Sequence, residues 1–195
     1  KSEQSYRGDQ LNGSSTFYFE NGNVQSEFTF KNGIIVGTSI RYYRNGKVES
    51  KIEYVDGLKH GKTQLFDSEG GLLSDENYEN GKLQGAYRAY FPSGKIKIEG
   101  YYSDDLYDGK WMYYNEMGFN VGIGEFKLGT GTQKGFHYNG KLKRVVNYKS
   151  NLKHGKEEIY NLKGELERID YYEEGEYLKT EMILVETTTQ AQASE

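Results

Sequence analysis

Glycine returns at a fixed interval through this chain. Gly13, Gly37, Gly61, Gly85, Gly109, Gly131 and Gly155 are separated by 24, 24, 24, 24, 22 and 24 residues. A period of that size means one supersecondary unit copied in tandem, each copy burying against its neighbours what it cannot bury alone. Counting each of these glycines as position zero, position 5 is aromatic in all seven units: Tyr18, Tyr42, Phe66, Tyr90, Tyr114, Phe136 and Tyr160. Position 9 is always glycine (Gly22, Gly46, Gly70, Gly94, Gly118, Gly140, Gly164), and position 17 is aromatic again (Phe30, Tyr54, Tyr78, Tyr102, Phe126, Tyr148, Tyr172). Position 11 is aliphatic except at Asn120. The seven units cover residues 13–179. Residues 1–12 read as the end of a further unit or a cap, and 180–195 as a terminal edge strand at 182–185 followed by a disordered tail.

Composition selects among repeat architectures. With 25 glycines, 19 tyrosines and one proline in 195 residues, and only 35% hydrophobic residues, the chain suits short strands and tight turns rather than a bundle around a thick core. A net charge of -4 and 15% aromatic residues oppose disorder. A three-residue hairpin loop at positions 7 to 9, a type I turn closed by a left-handed glycine, pairs position 5 with position 11. Pro92, at position 7, fits the first central site of that turn. The same loop type is expected at positions 18 to 20, where Gly33, Gly57, Gly81, Asp105, Gly129, Asn151 and Gly175 take the left-handed site. This predicts an all-β chain, a single-layer antiparallel meander, elongated and curved. Positions 5, 11, 17 and 21 should share one apolar, odd-numbered face.

Segments such as Gly37 to Gly61, with Tyr42, Gly46, Val48, Tyr54 and Gly57 in place, resemble the bacterial variant of the MORN repeat over roughly residues 6 to 178. Some proteins of this variant are named YwqK-type antitoxins, and eukaryotic MORN arrays are linked to membrane apposition, lipid contact and scaffolding. The resemblance implies a nonenzymatic binding scaffold and transfers no catalytic residue.

The residues carry little that reads as chemistry. The chain has no cysteine, which excludes disulfides and thiolate chemistry. His60 and His154 share a Leu-Lys-His-Gly context, but the strands between them place the two on the order of 40 Å apart, too far for a shared metal, and His137 falls in a turn. No nucleophile elbow, phosphate loop or paired zinc histidines occur. Neither an enzyme nor a cofactor or metal is expected.

Two surfaces are candidates for binding. On the even-numbered face, Tyr87, Phe91, Tyr101, Tyr107, Trp111 and Tyr113 interleave with Lys95 and Lys97, a ladder suited to a protein partner or a stacked glycan; it would equally serve as cross-strand packing. In the expected register Phe91 and Tyr113 flank Lys95, Trp111 faces Lys97, Tyr87 faces Glu99 and Tyr101 faces Tyr107. The second surface is a basic band. Residues 131–156 carry Lys134, Lys141, Lys143, Arg144, Lys149, Lys153 and Lys156 with no acid, between acidic stretches at 99–125 and 157–195. The band would attract an acidic partner, whereas an acidic chain opposes nucleic-acid binding.

Function is therefore expected to be protein binding by a scaffold, with toxin occlusion as one form. The alternative is a secreted or envelope protein that holds glycan or lipid through the aromatic face. No run of apolar residues is long enough to span a membrane as a helix. Because the sequence begins at Lys1 rather than Met, an upstream segment is expected to have been removed, and it would decide between the bacterial cytoplasm and the periplasm or cell surface.

Overall fold

The computed structural model describes residues 1–183. It is one open antiparallel sheet of 17 strands in which each strand pairs with its neighbours in sequence, with no helix among the described residues. Every unit supplies a hairpin. Unit two, for example, contributes Ile34–Tyr42 and Val48–Val55. Seven hairpins make fourteen strands. One is split at Gln84 into Lys82–Leu83 and Gly85–Tyr90, and Ser2–Arg7 and Glu176–Met182 lie at the two edges. The terminal edge strand lies at Glu176–Met182 rather than at the expected 182–185, and the rest of that stretch and the tail, residues 184–195, lie outside the described residues.

The first turn of each unit is the expected one. Tyr18 pairs with Val24 and Tyr42 with Val48, and the amide of Gly22 donates to the Phe19 carbonyl at 3.0 Å across the turn. Its glycine has a φ of +87°, the left-handed backbone that only glycine adopts without strain. The second turn differs from expectation. Lys31 pairs directly with Ile34, leaving a two-residue loop, Asn32-Gly33, with both φ angles positive at 51° and 80°. That is a type I′ turn, whose twist matches the flanking strands. The same pair of left-handed residues recurs at Asp56-Gly57 and Asn80-Gly81.

The largest correction concerns the faces. Tyr18 pairs with Val24 but Phe17 pairs with Ser26, so Gln25 is an extra residue, a bulge in the second strand of the hairpin. A bulge shifts the alternation of side chains by one. Positions 5 and 11 therefore share one face, and position 17 sits on the other with positions 2, 4, 13 and 15. Hydrogen bonds confirm the split: Tyr42, at position 5, donates to Glu27 at 2.7 Å, whereas Tyr148, at position 17, donates to Gln133 at position 2. Of the twelve buried hydrophobic, polar and charged side chains among the described residues, all but Ile169 lie on the position-17 face, among them Ser15, Ser26, Ser39, Ser50, Thr63, Ser74, Trp111, Phe126 and Val146. We refer to this as the packed face and to its opposite as the open face.

A second irregularity surrounds the repeat glycine itself. Glu27 pairs with Ile40 and Thr29 with Val36, which leaves two extra residues beside Gly37, whose φ is +70°. Between units five and six this bulge is missing, and pairing runs unbroken from Gly122–Gly135 to Lys127–Thr130. The two residues by which unit five is short are thus the two that make the bulge elsewhere.

On both faces some tyrosine hydroxyls, Tyr42, Tyr78, Tyr102 and Tyr113 among them, are held away from ionisation. The Glu27 carboxylate that accepts from Tyr42 pushes that phenol up to about 12, and burial pushes Tyr78, Tyr102 and Tyr113 up as well. The folded pKa values lie above the ordinary 10.0, so the folded state binds more protons in this range. Their stabilising contribution is full below pH 10 and is lost as the pH rises through the folded values. Alkaline titration is expected to show phenolate absorbance lagging that of free tyrosine and then rising together with loss of the strand signal. Independent ionisation of all tyrosines near pH 10, with the sheet intact, would contradict this.

Candidate functional site

The packed face changes character in units four and five. Position 2 is Ser15, Ser39 and Thr63 in the first three units, then Tyr87 and Trp111; position 15 is Phe28, Ile52 and Glu76, then Gly100 and Gly124. Large and small residues have exchanged places. Trp111 pairs with Gly124 on one side and lies over Gly100 on the other, and a Cβ added at Gly100 would fall inside the indole. The tryptophan is only 3% exposed, and its N–H is enclosed without an acceptor. Rings close around it: Tyr107 at 4.7 Å, Tyr102 at 5.0 Å and Tyr87 at 5.7 Å between centroids. Phe126 and Tyr148 extend the cluster, Phe126 meeting Tyr107 at 5.3 Å and Tyr148 at 5.6 Å.

Of the aromatic residues expected to form a ladder, the structure gathers Tyr87, Tyr107 and Trp111 at this cluster, with Tyr113 on the same face. Tyr102, Phe126 and Tyr148 join them from position 17, which the sequence had assigned to the other side. Tyr101 and Phe91 are elsewhere. Tyr101 is exposed on the open face beside a depression of about 270 Å³ lined also by Arg88, Glu99 and Lys110. Phe91 lies in a turn with the Lys97 ammonium 5.8 Å from its ring centre, and Lys95 reaches the Glu116 carbonyl at 3.1 Å. Phe91 faces Lys95 as expected, its amide donating to the Lys95 carbonyl at 2.8 Å, but the other pairings are displaced: Tyr113 faces Ile98, Tyr87 faces Gly100, Tyr102 rather than Tyr101 faces Tyr107, and Glu99 faces Arg88 and Met112.

The basic band is dispersed. Lys153 and Arg144 lie on the packed face, where the buried Glu157 carboxylate meets Lys153 at 2.6 Å and Arg144 at 3.8 Å. Lys134 and Lys156 project from the open face, Lys149 sits at a strand end, and Lys141 and Lys143 lie beside the first turn of unit six. Among the described residues, Lys134, Lys141, Lys143, Lys149 and Lys156 make no ion pair.

A further surface arises from the short unit. With two residues gone, Asn151 in the second turn of unit six reaches past unit five to unit four. Its carboxamide donates to the Asp105 carbonyl and accepts from the Tyr107 amide, both at 2.8 Å. One edge of the sheet is drawn together there. At the opposite edge, the first turns of units five and six flank a groove of about 500 Å³ lined by Met117, Phe119, Val121, Phe136, His137 and Tyr138. Met117, Phe119 and Tyr138 are 72%, 65% and 91% exposed. The positions of Met117 and Phe119 are polar in the other units except at Gly71 and often join one unit to the next: Asn45 donates to the Ser68 carbonyl and Lys47 to that of Glu69. Unit five has Met117 and Phe119 in those places and no such bond to unit six. The sequence signal was available, as apolar residues at turn positions that are polar in nearly every other unit.

The model for the MORN repeat variant matches residues 11–32, 35–56, 83–104 and 130–150. Each match begins at the strand entering a unit and ends at its second turn, and the unmatched units form the same hairpins in the sheet. The chain carries MORN repeats. MORN repeats are generally associated with scaffolds that bind protein or membrane lipid. No curated protein matches the chain. Within this MORN array, the departures from the repeat are concentrated in units four to six, where the aromatic cluster, the missing bulge and the apolar groove adjoin.

Proposed function

We propose that this MORN array is a nonenzymatic scaffold that holds another protein. The observation that carries the reading is the groove between the first turns of units five and six, whose Met117, Phe119 and Tyr138 are exposed at sites that are polar in most other units. Aromatic residues and methionine are enriched in protein interfaces, and an apolar patch kept on the surface at a cost in solubility marks an interaction site. The cluster around Trp111 packs the sheet in the neighbouring units four and five, and a scaffold already packed loses less order on binding a partner.

The antitoxin form of the reading has the partner as a toxin, neutralised because the array covers its working surface. The test is affinity purification with the wild-type chain and a Met117→Ser/Phe119→Ser/Tyr138→Ser variant, followed by reconstitution from purified components. A protein that binds the wild type 1:1 at about nanomolar affinity, and the variant far more weakly, is the expected result. If that protein arrests growth when expressed alone, co-expression of the array restores growth and co-expression of the variant does not. Equal binding of the partner to both chains would reject the groove as the contact. Binding of lipid vesicles or glycan in place of any protein would reject the protein-scaffold reading.

A further inference from the structure

Along the first-turn edge the array is held together by side-chain donors from one unit and backbone carbonyls from the next. Asn23 reaches the Arg44 carbonyl at 2.8 Å, Asn45 that of Ser68 at 2.8 Å, Lys47 that of Glu69 at 2.9 Å and Lys95 that of Glu116 at 3.1 Å. Units six and seven repeat the arrangement, with Asn139 on the Leu162 carbonyl at 2.9 Å and Lys141 on that of Lys163 at 2.7 Å. The donors stand at positions 8 and 10, and the acceptors at positions 7 and 8 of the following unit. Asparagine and lysine side chains thus fill the space between neighbouring turns and use carbonyls that the turn itself leaves free.

Between units five and six the donors are missing. Positions 8 and 10 of unit five are Met117 and Phe119, and the carbonyls that would receive a donor, those of Tyr138 and Asn139, accept no hydrogen bond among the described residues. Their turn is formed as the others are, the Gly140 amide donating to the His137 carbonyl at 2.9 Å as that of Gly46 does to Tyr43. The two carbonyls therefore face the preceding unit, as their counterparts do. Units three and four are also unjoined, but the residues there are Glu69, held by Lys47 at 3.0 Å, and Gly71, which offer no apolar surface. In the groove between units five and six, unclaimed carbonyls and apolar flanks coincide. No lysine, arginine, aspartate or glutamate lines it. Its carboxamides are spent within unit five: Asn115 accepts from the Met117 and Phe119 amides, and Asn120 donates to the Gly122 carbonyl, all at 3.0 Å.

We propose that this groove receives a lysine or arginine side chain of the partner protein, its aliphatic stem lying on Met117 and Phe119 and its N–H groups donating to the Tyr138 and Asn139 carbonyls. The partner thereby supplies the residue that unit five lacks. Long basic side chains lay their methylenes on apolar surface and keep the charged end on polar atoms, and the exposed ring of Tyr138 adds a face for the cation. No cation in the lining opposes its entry, since Lys141 is turned to unit seven by its bond to the Lys163 carbonyl. A carboxylate would meet only carbonyl oxygens and is rejected. The inference rests on the protein-scaffold reading and adds the chemistry of the partner's anchor.

The test is selection of a phage-displayed library of randomised peptides, about twelve residues long, on the immobilised full chain. The parallel bait is Met117→Asn/Phe119→Lys, which returns to unit five the residue types that units two and six carry at these positions. Both side chains are exposed, so this variant should melt no lower than wild type. The expected result is enrichment, on wild type, of peptides that share a lysine or arginine beside an apolar residue. Synthetic copies should bind the variant, whose own lysine fills the gap, at least about tenfold more weakly. Replacing the shared basic residue of the peptide by methionine keeps the apolar stem and removes the donors, and should weaken binding to wild type by a similar factor. Enriched peptides without a shared basic residue, methionine copies that bind as well, or equal binding to both baits would each overturn the proposal while leaving the scaffold reading in place. No enrichment on either bait would count against both.

Discussion

Trp111→Ala is expected to cost about 3 to 5 kcal/mol, the range for removing a large buried aromatic side chain. Few single changes elsewhere in the sheet should approach it. The indole fills the space left by Gly100 and Gly124 and touches Tyr87, Tyr102 and Tyr107, so its loss opens a hole that glycine neighbours cannot fill. Because units contact only their neighbours, the damage divides the array. Denaturant unfolding followed by circular dichroism should change from one transition to two, with units four and five melting first. Trp111→Phe should be milder, since it keeps a ring and removes an N–H that has no acceptor. A loss below about 1 kcal/mol for the alanine variant would show that the cluster is peripheral to stability. It also follows that alanine at Trp111 is a poor probe of binding, because weakened binding would report unfolding as much as contact.

Asn151→Gly is the second large expected effect, about 1 to 3 kcal/mol. Asn151 has a φ of 66°, which glycine adopts freely, so the substitution removes the carboxamide and leaves the turn unstrained. The Tyr107 amide then loses its acceptor and the Asp105 carbonyl its donor. Hydrogen exchange should report this directly, as faster exchange at Tyr107 while amides in units one to three are unchanged. Unaltered protection at Tyr107 would mean that the short unit is held by pairing alone.

The period, the all-β meander and the first turn were legible because each rests on a residue type with one physical use: glycine where φ is positive, proline at the first central turn site, aromatics at fixed intervals. The division of the faces was not. A bulge that occurs in every copy leaves the 24-residue spacing intact, so Tyr42 and Tyr54 both look odd-numbered while pointing in opposite directions. The second turn could have been read. Asn32-Gly33 and Asp56-Gly57 are the dipeptides that type I′ turns prefer, a chemistry distinct from that of the three-residue first turn. Tyr87, Tyr107, Trp111 and Tyr113 were rightly placed on one side. Their companions Tyr102, Phe126 and Tyr148 were lost to the same hidden bulge. The groove is marked in the sequence only by Met117 and Phe119, apolar residues at turn positions that are otherwise polar, and these lie off the strands along which the aromatic pattern runs.

The missing bulge also bears on how the chain finds its register. Pairing only with sequence neighbours keeps loop closure short, which favours fast folding for a β protein. Near-identical hairpins carry the opposite hazard, since a strand can pair with the wrong copy one period away and trap the chain, a known failure of repeat proteins. Unit five breaks the equivalence. Its continuous ladder from Gly122–Gly135 to Lys127–Thr130 has no counterpart 24 residues before or after, and at Gly131 a side chain would strike the Glu125 carbonyl. A slip by one copy would bring a bulged strand against this ladder, and so the irregular unit is a fixed point in the array from which the others can be counted.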